Sequence, residues 1–191
     1  MNITTEQLFD DAHTYHGWKQ DPVDDATLRR LWDMLKWGPT SANSQPLRIL
    51  FVRDPAMKAQ VARCMTATNV EKTRAAPVVA VLGMDMEFHE KLPQLFPHVD
   101  ARSWFAGKPA LIESTALRNS SIQGGYFIVA ARALGLDCGP MSGFDAAQVD
   151  ALLWAGTTVR TNFICNIGHG DPAKIKPRNA RLTFEQACRV I

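Results

Sequence analysis

The side chains best suited to chemistry are concentrated in one stretch, Gly38-Pro39-Thr40-Ser41-Ala42-Asn43-Ser44-Gln45-Pro46. Two prolines that lack a backbone donor and fix φ bracket a run of small hydroxyl and amide groups. A surface this dense in uncharged hydrogen-bonding groups suits a polar, planar heterocycle better than a metal ion. Residue types alone also suit an ordinary polar turn, because Ser, Asn and Pro dominate turns. Three further places carry polar groups at suggestive spacing. Asn69 and Lys72 stand three apart before Ala76-Pro77. Pro140, Ser142 and Gly143 lie in a turn-like run, Cys138 to Asp145. Lys174 and Arg178 lie in a basic tail. Each has a plain alternative, an exposed helical turn or solvated surface charge.

The elements that must position these groups are legible from periodicity and caps. Thr4 or Thr5 starts a helix to about residue 12. Asp24 caps a second, with Leu28, Leu31, Trp32 and Leu35 as its buried stripe and Gly38 as the left-handed residue ending it. A strand over 47–53 follows the polar stretch. A helix beginning near Pro55 carries Met57, Val61 and Met65. An uncharged, β-rich run over 78–84 reads as an interior strand. Residues 87–109 form a long, proline-punctuated aromatic connection, a length that is usually functional or mobile. The longest helix spans 111–134. Its middle, 120–131, carries no charge and many small residues, as a buried central helix would. Gly135 ends it, 136–142 is extended, Asp145 caps another helix, and 158–167 is the last strand. The tail closes with a short helix from Thr183. No repeat or linker divides the chain, so residues 1–191 read as a single domain.

Bulk properties exclude several classes. Apolar residues make up 46% and charged residues 21%, the balance of a globular chain rather than a disordered one. A net charge of +2 without a Lys/Arg run gives no support to nucleic-acid or membrane-surface binding. No apolar run approaches the ~18 residues of a membrane span, and the N-terminus lacks the pattern of a secretion signal. Scattered Cys64, Cys138, Cys165 and Cys188 suit buried or half-buried thiols in a reducing cytoplasm. His89-Glu90 is followed by Pro93 where a zinc-binding helix needs its second His, and Gly168-His169-Gly170 is only a fragment of a dinucleotide-binding turn. Zinc hydrolase and Rossmann dehydrogenase are both excluded.

The order P-[ST]-[ST]-x-N-x-Q-P between helix and strand resembles the flavin-contacting loop of the nitroreductase family, the FMN-dependent NAD(P)H oxidoreductases. The resemblance runs from about Ala12 to Cys188. It implies an α+β fold with a central, mostly antiparallel sheet flanked by helices, a long buried central helix, and an obligate homodimer with its active site at the subunit interface. It also implies roles. Thr40, Ser41 and Asn43 would reach the flavin from the partner subunit. Asn69 would bond the pyrimidine edge and Lys72 the N1/O2 side. Pro140, Ser142 and Gly143 would face the hydride-accepting N5, with the backbone at Ser142 and Gly143 as the catalytic positions. Lys174 and Arg178 would grip the phosphate. His13 stands where the family usually has an Arg on the phosphate. An imidazole titrates near ~6.5 and has no guanidinium fork, so FMN retention should be weaker and pH-dependent.

Within the family the closest resemblance is to the malonic semialdehyde reductase branch. It is carried by Leu35 to Asn43, Leu95-Phe96-Pro97-His98, Asp100 to Phe105, Arg118-Asn119-Ser120-Ser121 and Gly139 to Asp145. This implies reduction of 3-oxopropanoate by NADPH or NADH in ping-pong exchange. Arg102 would then meet the substrate carboxylate, with Trp104 and Phe105 as an apolar lid; a loop salt bridge is the alternative for Arg102. A broad nitroaromatic or quinone reductase, and a flavin-binding protein with little turnover, are the competing readings.

Overall fold

Asp24 and Asp145 each accept a hydrogen bond from the backbone N–H three residues on, and each starts a helix where the sequence predicts one. The computed structural model describes residues 3–191. Its elements are α1 (Asp25–Leu35), β1 (Leu47–Val52), α2 (Pro55–Arg63), α3 (Ala67–Ala75), β2 (Val78–Asp85), α4 (Leu92–Leu95), α5 (Pro109–Ala133), β3 (Asp137–Met141), α6 (Ala146–Leu153), β4 (Val159–Gly168) and α7 (Phe184–Ala187). The strands form one sheet in the order β1-β2-β4-β3, and every neighbouring pair is antiparallel.

Strand β2 is buried at all eight positions, as its uncharged run requires of a strand covered on both faces. Its side chains alternate between two cores. Val78, Ala80 and Leu82 face Leu28, Leu31 and Leu35 of α1 and Phe127 and Ala131 of α5. Val79 and Val81 face Val61 of α2, Ala76, and Val149 with Trp154 beside α6. Helix α5 lies against the sheet closely enough that a Cβ on Gly124 would meet the Phe163 ring at 2.5 Å. Thr115, Asn119, Ser120 and Gln123 are buried in it. Gly135, at φ 76°, ends it in the left-handed conformation glycine tolerates.

Several expectations are corrected. The first helix is a short turn, Glu6–Asp10. Trp32 is 38% exposed, because α1 buries only the narrow stripe Leu28, Leu31 and Leu35. Gly38 is not left-handed; it is small because the Tyr126 ring would lie 2.8 Å from its Cβ. The left-handed residues are inside the polar loop: Ala42 and Asn43, both at φ 50°, and Gln45 at φ 40°. Met65 falls beyond α2, in an antiparallel bridge to Phe144. The 87–109 connection is not an open loop. It folds into turns Phe88–Lys91 and Arg102–Trp104 around α4, and Phe88, Leu92, Ala101 and Phe105 close a third core with Ala116 of α5. Three cysteines are buried, but Cys188 is exposed.

Candidate active site

The N-terminal segment runs along the free edge of β3. Tyr15 N–H donates to the Cys138 carbonyl at 3.1 Å, and Thr14 pairs in parallel with Cys138. Gly139 permits this approach, since a Cβ there would stand 2.8 Å from the Tyr15 carbonyl oxygen. Beyond β3 the chain turns at Ser142-Gly143 toward α6. Asp145 N–H donates to the Cys64 carbonyl at 2.8 Å, which pins this turn beside the start of α3.

Helix α3 grips the turn at Gly143. The Gly143 carbonyl accepts from Thr66 N–H at 3.0 Å, from Thr66 Oγ1 at 3.1 Å and from Asn69 Nδ2 at 3.1 Å. Lys72 Nζ donates to Asn69 Oδ1 at 3.1 Å. Asn166 Nδ2 donates to the Lys72 carbonyl at 3.0 Å, which ties α3 to β4. The result is a cavity of about 210 Å³ lined by Thr14, Tyr15 and His16 on one side, Asn69 and Lys72 on another, and the 139–143 backbone on the third. The Ser142 and Gly143 amide N–H groups have no partner among the described residues.

A second cavity, of about 370 Å³, shares Thr14 and His16 with the first. His13, His16, Arg132, Lys176, Arg178 and Arg181 line it, and no carboxylate does. Arg178 Nη2 donates to the Asp10 carbonyl at 2.6 Å and the Ala12 carbonyl at 3.0 Å, and stands 3.5 Å from His13 Nε2. Arg132 Nη1 donates to the Leu8 carbonyl at 2.8 Å. Burial first, then the charges of Lys72 and Lys176, hold the His16 imidazole below its usual titration range. Its Nδ1 is buried without a partner among the described residues. Burial and then Lys176 lower Lys72 in the same way. Crowded cations with no acid to balance them are a receptor for an anion.

The structure brings Asn69, Lys72, Pro140, Ser142 and Gly143 to one cavity and His13 and Arg178 to the adjoining one. Lys174 lines neither. It ends the turn Pro172–Lys174, its stem covers Gly17, and Nζ lies 3.8 Å from Asp171 Oδ2. Thr40, Ser41 and Asn43 line neither, for they precede β1 at the opposite edge of the sheet from β3. Arg102 Nε donates to Glu90 Oε2 at 2.7 Å. Trp104 is half-exposed against Phe96, whereas Phe105 is only 7% exposed and belongs to the core.

Sequence reading missed Tyr15, His16, Lys176, Arg181 and Arg132 as lining residues. One signal was available for the tail. An extended run has a period of two, so Lys176 and Arg178 share a face. Lys174 sits in the turn before it.

The profile of the nitroreductase family matches residues 13–169. A protein from Ralstonia nicotianae bearing the name NADH dehydrogenase/NAD(P)H nitroreductase is 57% identical over 186 residues, spanning 97% of this chain and 95% of the relative. One of the same name from Polynucleobacter asymbioticus is 53% identical over 186 residues, with the same two shares. The crystal structure of a nitroreductase in complex with FMN from Exiguobacterium sibiricum superposes with a TM-score of 0.88, at 15% identity, over all of this chain and 99% of that one. The profile spans the N-terminal segment along β3, the polar loop, α3, the turn at Ser142-Gly143 and the whole sheet, and by that match and these relatives the chain belongs to the nitroreductase family.

Proposed function

We propose that the chain is an FMN-dependent NAD(P)H oxidoreductase that acts as a homodimer, and that its acceptor is malonic semialdehyde, reduced to 3-hydroxypropanoate. The observation that carries this reading is the pair of joined cavities. One is walled by cations without a carboxylate; the other is lined by an amide, a lysine and two unpaired backbone N–H groups. FMN has a matching division, a phosphate dianion at one end and a flat ring with polar edges at the other. His16, whose buried Nδ1 has no partner among the described residues, lines both cavities.

Bound there, FMN supplies a two-electron carrier that takes hydride at N5 from a reduced nicotinamide and returns it to an acceptor. Lys176, Arg178 and Arg181, with His13 and His16, hold the phosphate. Asn69 meets the pyrimidine edge. Lys72 is fixed by its bond to Asn69 Oδ1, and its charge favours the reduced ring. The backbone at Ser142 and Gly143 would present donors, and Gly143 puts no side chain in the way. Thr40, Ser41 and Asn43 precede β1, at the opposite edge of the sheet from β3, and line neither cavity of their own chain, which supports their service to a partner's. Donor and acceptor would use this one site in turn, which is ping-pong exchange.

The relatives' name, NAD(P)H nitroreductase, favours a second reading, a broad nitroaromatic or quinone reductase on the same site. Purified protein should be yellow, run at twice the chain mass, and lose its flavin colour with NADPH or NADH under nitrogen. Steady-state kcat/KM for 3-oxopropanoate should exceed that for a nitroaromatic or a quinone. The reverse order selects the second reading. A protein that stays colourless with excess FMN overturns both.

A further inference from the structure

The polar loop holds a shape its own residues resist. Three of its non-glycine residues, Ala42, Asn43 and Gln45, have positive φ, where a Cβ crowds the following carbonyl. Bonds within the loop, from Asn43 N–H to the Thr40 carbonyl at 3.0 Å, Ser44 N–H to the Ser41 carbonyl at 3.0 Å and Gln45 N–H to Thr40 Oγ1 at 3.2 Å, close the turn, and contacts from outside it fix its two ends. Two buried amides one turn apart on α5 make those contacts. Asn119 Oδ1 accepts the Ser41 N–H at 2.8 Å, at the start of the left-handed run. Gln123 Oε1 accepts the Leu47 N–H at 3.0 Å, just past its end. Asn119 is itself fixed, since its Nδ2 donates to the Thr115 carbonyl at 2.9 Å. Both side chains are almost wholly buried, Asn119 at 2% and Gln123 at 0% exposure. A buried amide with only part of its capacity used is costly, and Gln123 Nε2 has no partner among the described residues. A leucine would fill the same space without that cost, so packing alone does not account for a glutamine there.

We propose that Asn119 and Gln123 are positioning residues, a pair of clamps on one face of α5 that hold both ends of the 41–47 segment so that Ser41 and Asn43 project in one fixed arrangement toward the flavin of a second copy. The inference rests on the reading that this loop serves the flavin site. The clamps explain how a loop without glycine at its left-handed positions is rigid enough to be part of a binding surface. Asn43, the one side chain in the run that tolerates the left-handed region well, donates through Nδ2 to the Leu95 carbonyl at 2.9 Å and accepts from Gln45 Nε2 through Oδ1 at 2.7 Å, so its amide is held in one orientation.

The test compares full-length Asn119→Ala and Gln123→Met, which lack the acceptors, with Asn119→Asp and Gln123→Glu, which keep an acceptor oxygen in place. Amide hydrogen exchange is read at Ser41 and Leu47, with β2 as internal reference, and FMN affinity is read by flavin fluorescence. We expect exchange at Ser41 and Leu47 to accelerate about ten-fold in the first pair and FMN Kd to rise about ten-fold, with β2 unchanged and partial recovery in the second pair. Unchanged exchange at both amides overturns the clamp. Faster exchange with wild-type FMN affinity overturns its role at the flavin. A wild-type protein that binds no FMN defeats the functional reading instead, and the exchange data then decide the clamp alone. If Asn119→Ala fails to fold, Gln123→Met and its glutamate counterpart carry the same comparison.

Discussion

The Asn69 side-chain amide donates to the Gly143 carbonyl oxygen, joining α3 to the turn after β3 across 74 residues of sequence. The same Asn69 accepts from Lys72 Nζ, so one buried side chain sets both the turn and the lysine. The proposed ring-binding groups are therefore one mechanical unit.

Replacing Asn69 with Leu should release both contacts. It leaves the Gly143 carbonyl with its Thr66 bonds only and frees Lys72 to swing. We expect a stability loss of about 1–3 kcal/mol by denaturant titration and a rise in FMN Kd of about ten-fold. Gly143→Ala should reproduce the affinity loss, because its Cβ would stand 2.7 Å from Thr66 Oγ1 and 2.8 Å from Asn69 Nδ2. Unaltered FMN affinity in both variants removes this unit from the site.

The His16 imidazole gives a pH dependence whose sign differs between the free and the loaded protein. Burial and the charges of Lys72 and Lys176 lower its folded value. The unfolded chain therefore takes up a proton near pH ~6.5 while the folded chain does not. Stability conferred by the neutral ring is present above that pH and is lost as pH falls toward the folded value. A bound phosphate dianion reverses the preference by favouring the charged ring. FMN Kd should tighten roughly five-fold from pH 8.5 to 6.5, while the flavin-free protein loses thermal midpoint below about pH 6.5. His16→Asn should flatten the stability trend and weaken the affinity trend, and His16→Asn combined with His13→Arg should flatten both. His13→Arg, which adds a permanent cation beside Arg178, should bind FMN more tightly at pH 8.5.

How much of this was readable beforehand follows from the range of the interactions. Asp24 and Asp145 announce their helices because a cap is a contact three residues long. The all-antiparallel sheet with a buried β2 and the 25-residue α5 followed from local pattern and from the family resemblance. Trp32 was misread because helical spacing marks a face without giving its width. Gly38 was misread because a small residue is demanded there by Tyr126, 88 positions away, and not by its own φ. His16 escaped notice for a similar reason. The charges that act on it, Lys72 and Lys176, come from α3 and from the tail, and no local pattern joins them. The polar loop was singled out correctly as unusual, but the left-handed run inside it has no glycine to betray it.

Arg102 is held by Glu90 in an exposed ion pair on the turn before α5. If Arg102 meets the acceptor carboxylate, Glu90 competes with the substrate for it. Arg102→Ala should raise the KM for 3-oxopropanoate about ten-fold and leave the rate of flavin reduction by NADPH or NADH unchanged. Glu90→Gln should act in the opposite direction and lower that KM. An unaltered KM in Arg102→Ala confines Arg102 to its salt bridge, and malonic semialdehyde then loses its proposed cation.

The outer face of α5 carries the assembly prediction. Leu117, Ile122 and Tyr126 are 47%, 40% and 44% exposed and surround Gly125, where an added Cβ would meet nothing within 4 Å. Within one chain the Cβ of an arginine at 125 meets nothing, and arginine improves on glycine in helix propensity by several tenths of a kcal/mol or more. A second copy packed on this face would not admit it. Gly125→Arg should therefore remain folded by circular dichroism, sediment at the chain mass where the wild type, as the proposed dimer, should sediment at twice that mass, and bind FMN at least about ten-fold more weakly, since each cavity would lose the loop proposed to come from across the interface. Gly125→Ala distinguishes close backbone approach from a looser contact: it should stabilise the chain if the face is open and weaken the dimer if the helices meet at the glycine. A wild-type chain that sediments as a monomer with FMN bound would require a site closed by one polypeptide, with Ser41 and Asn43 outside it.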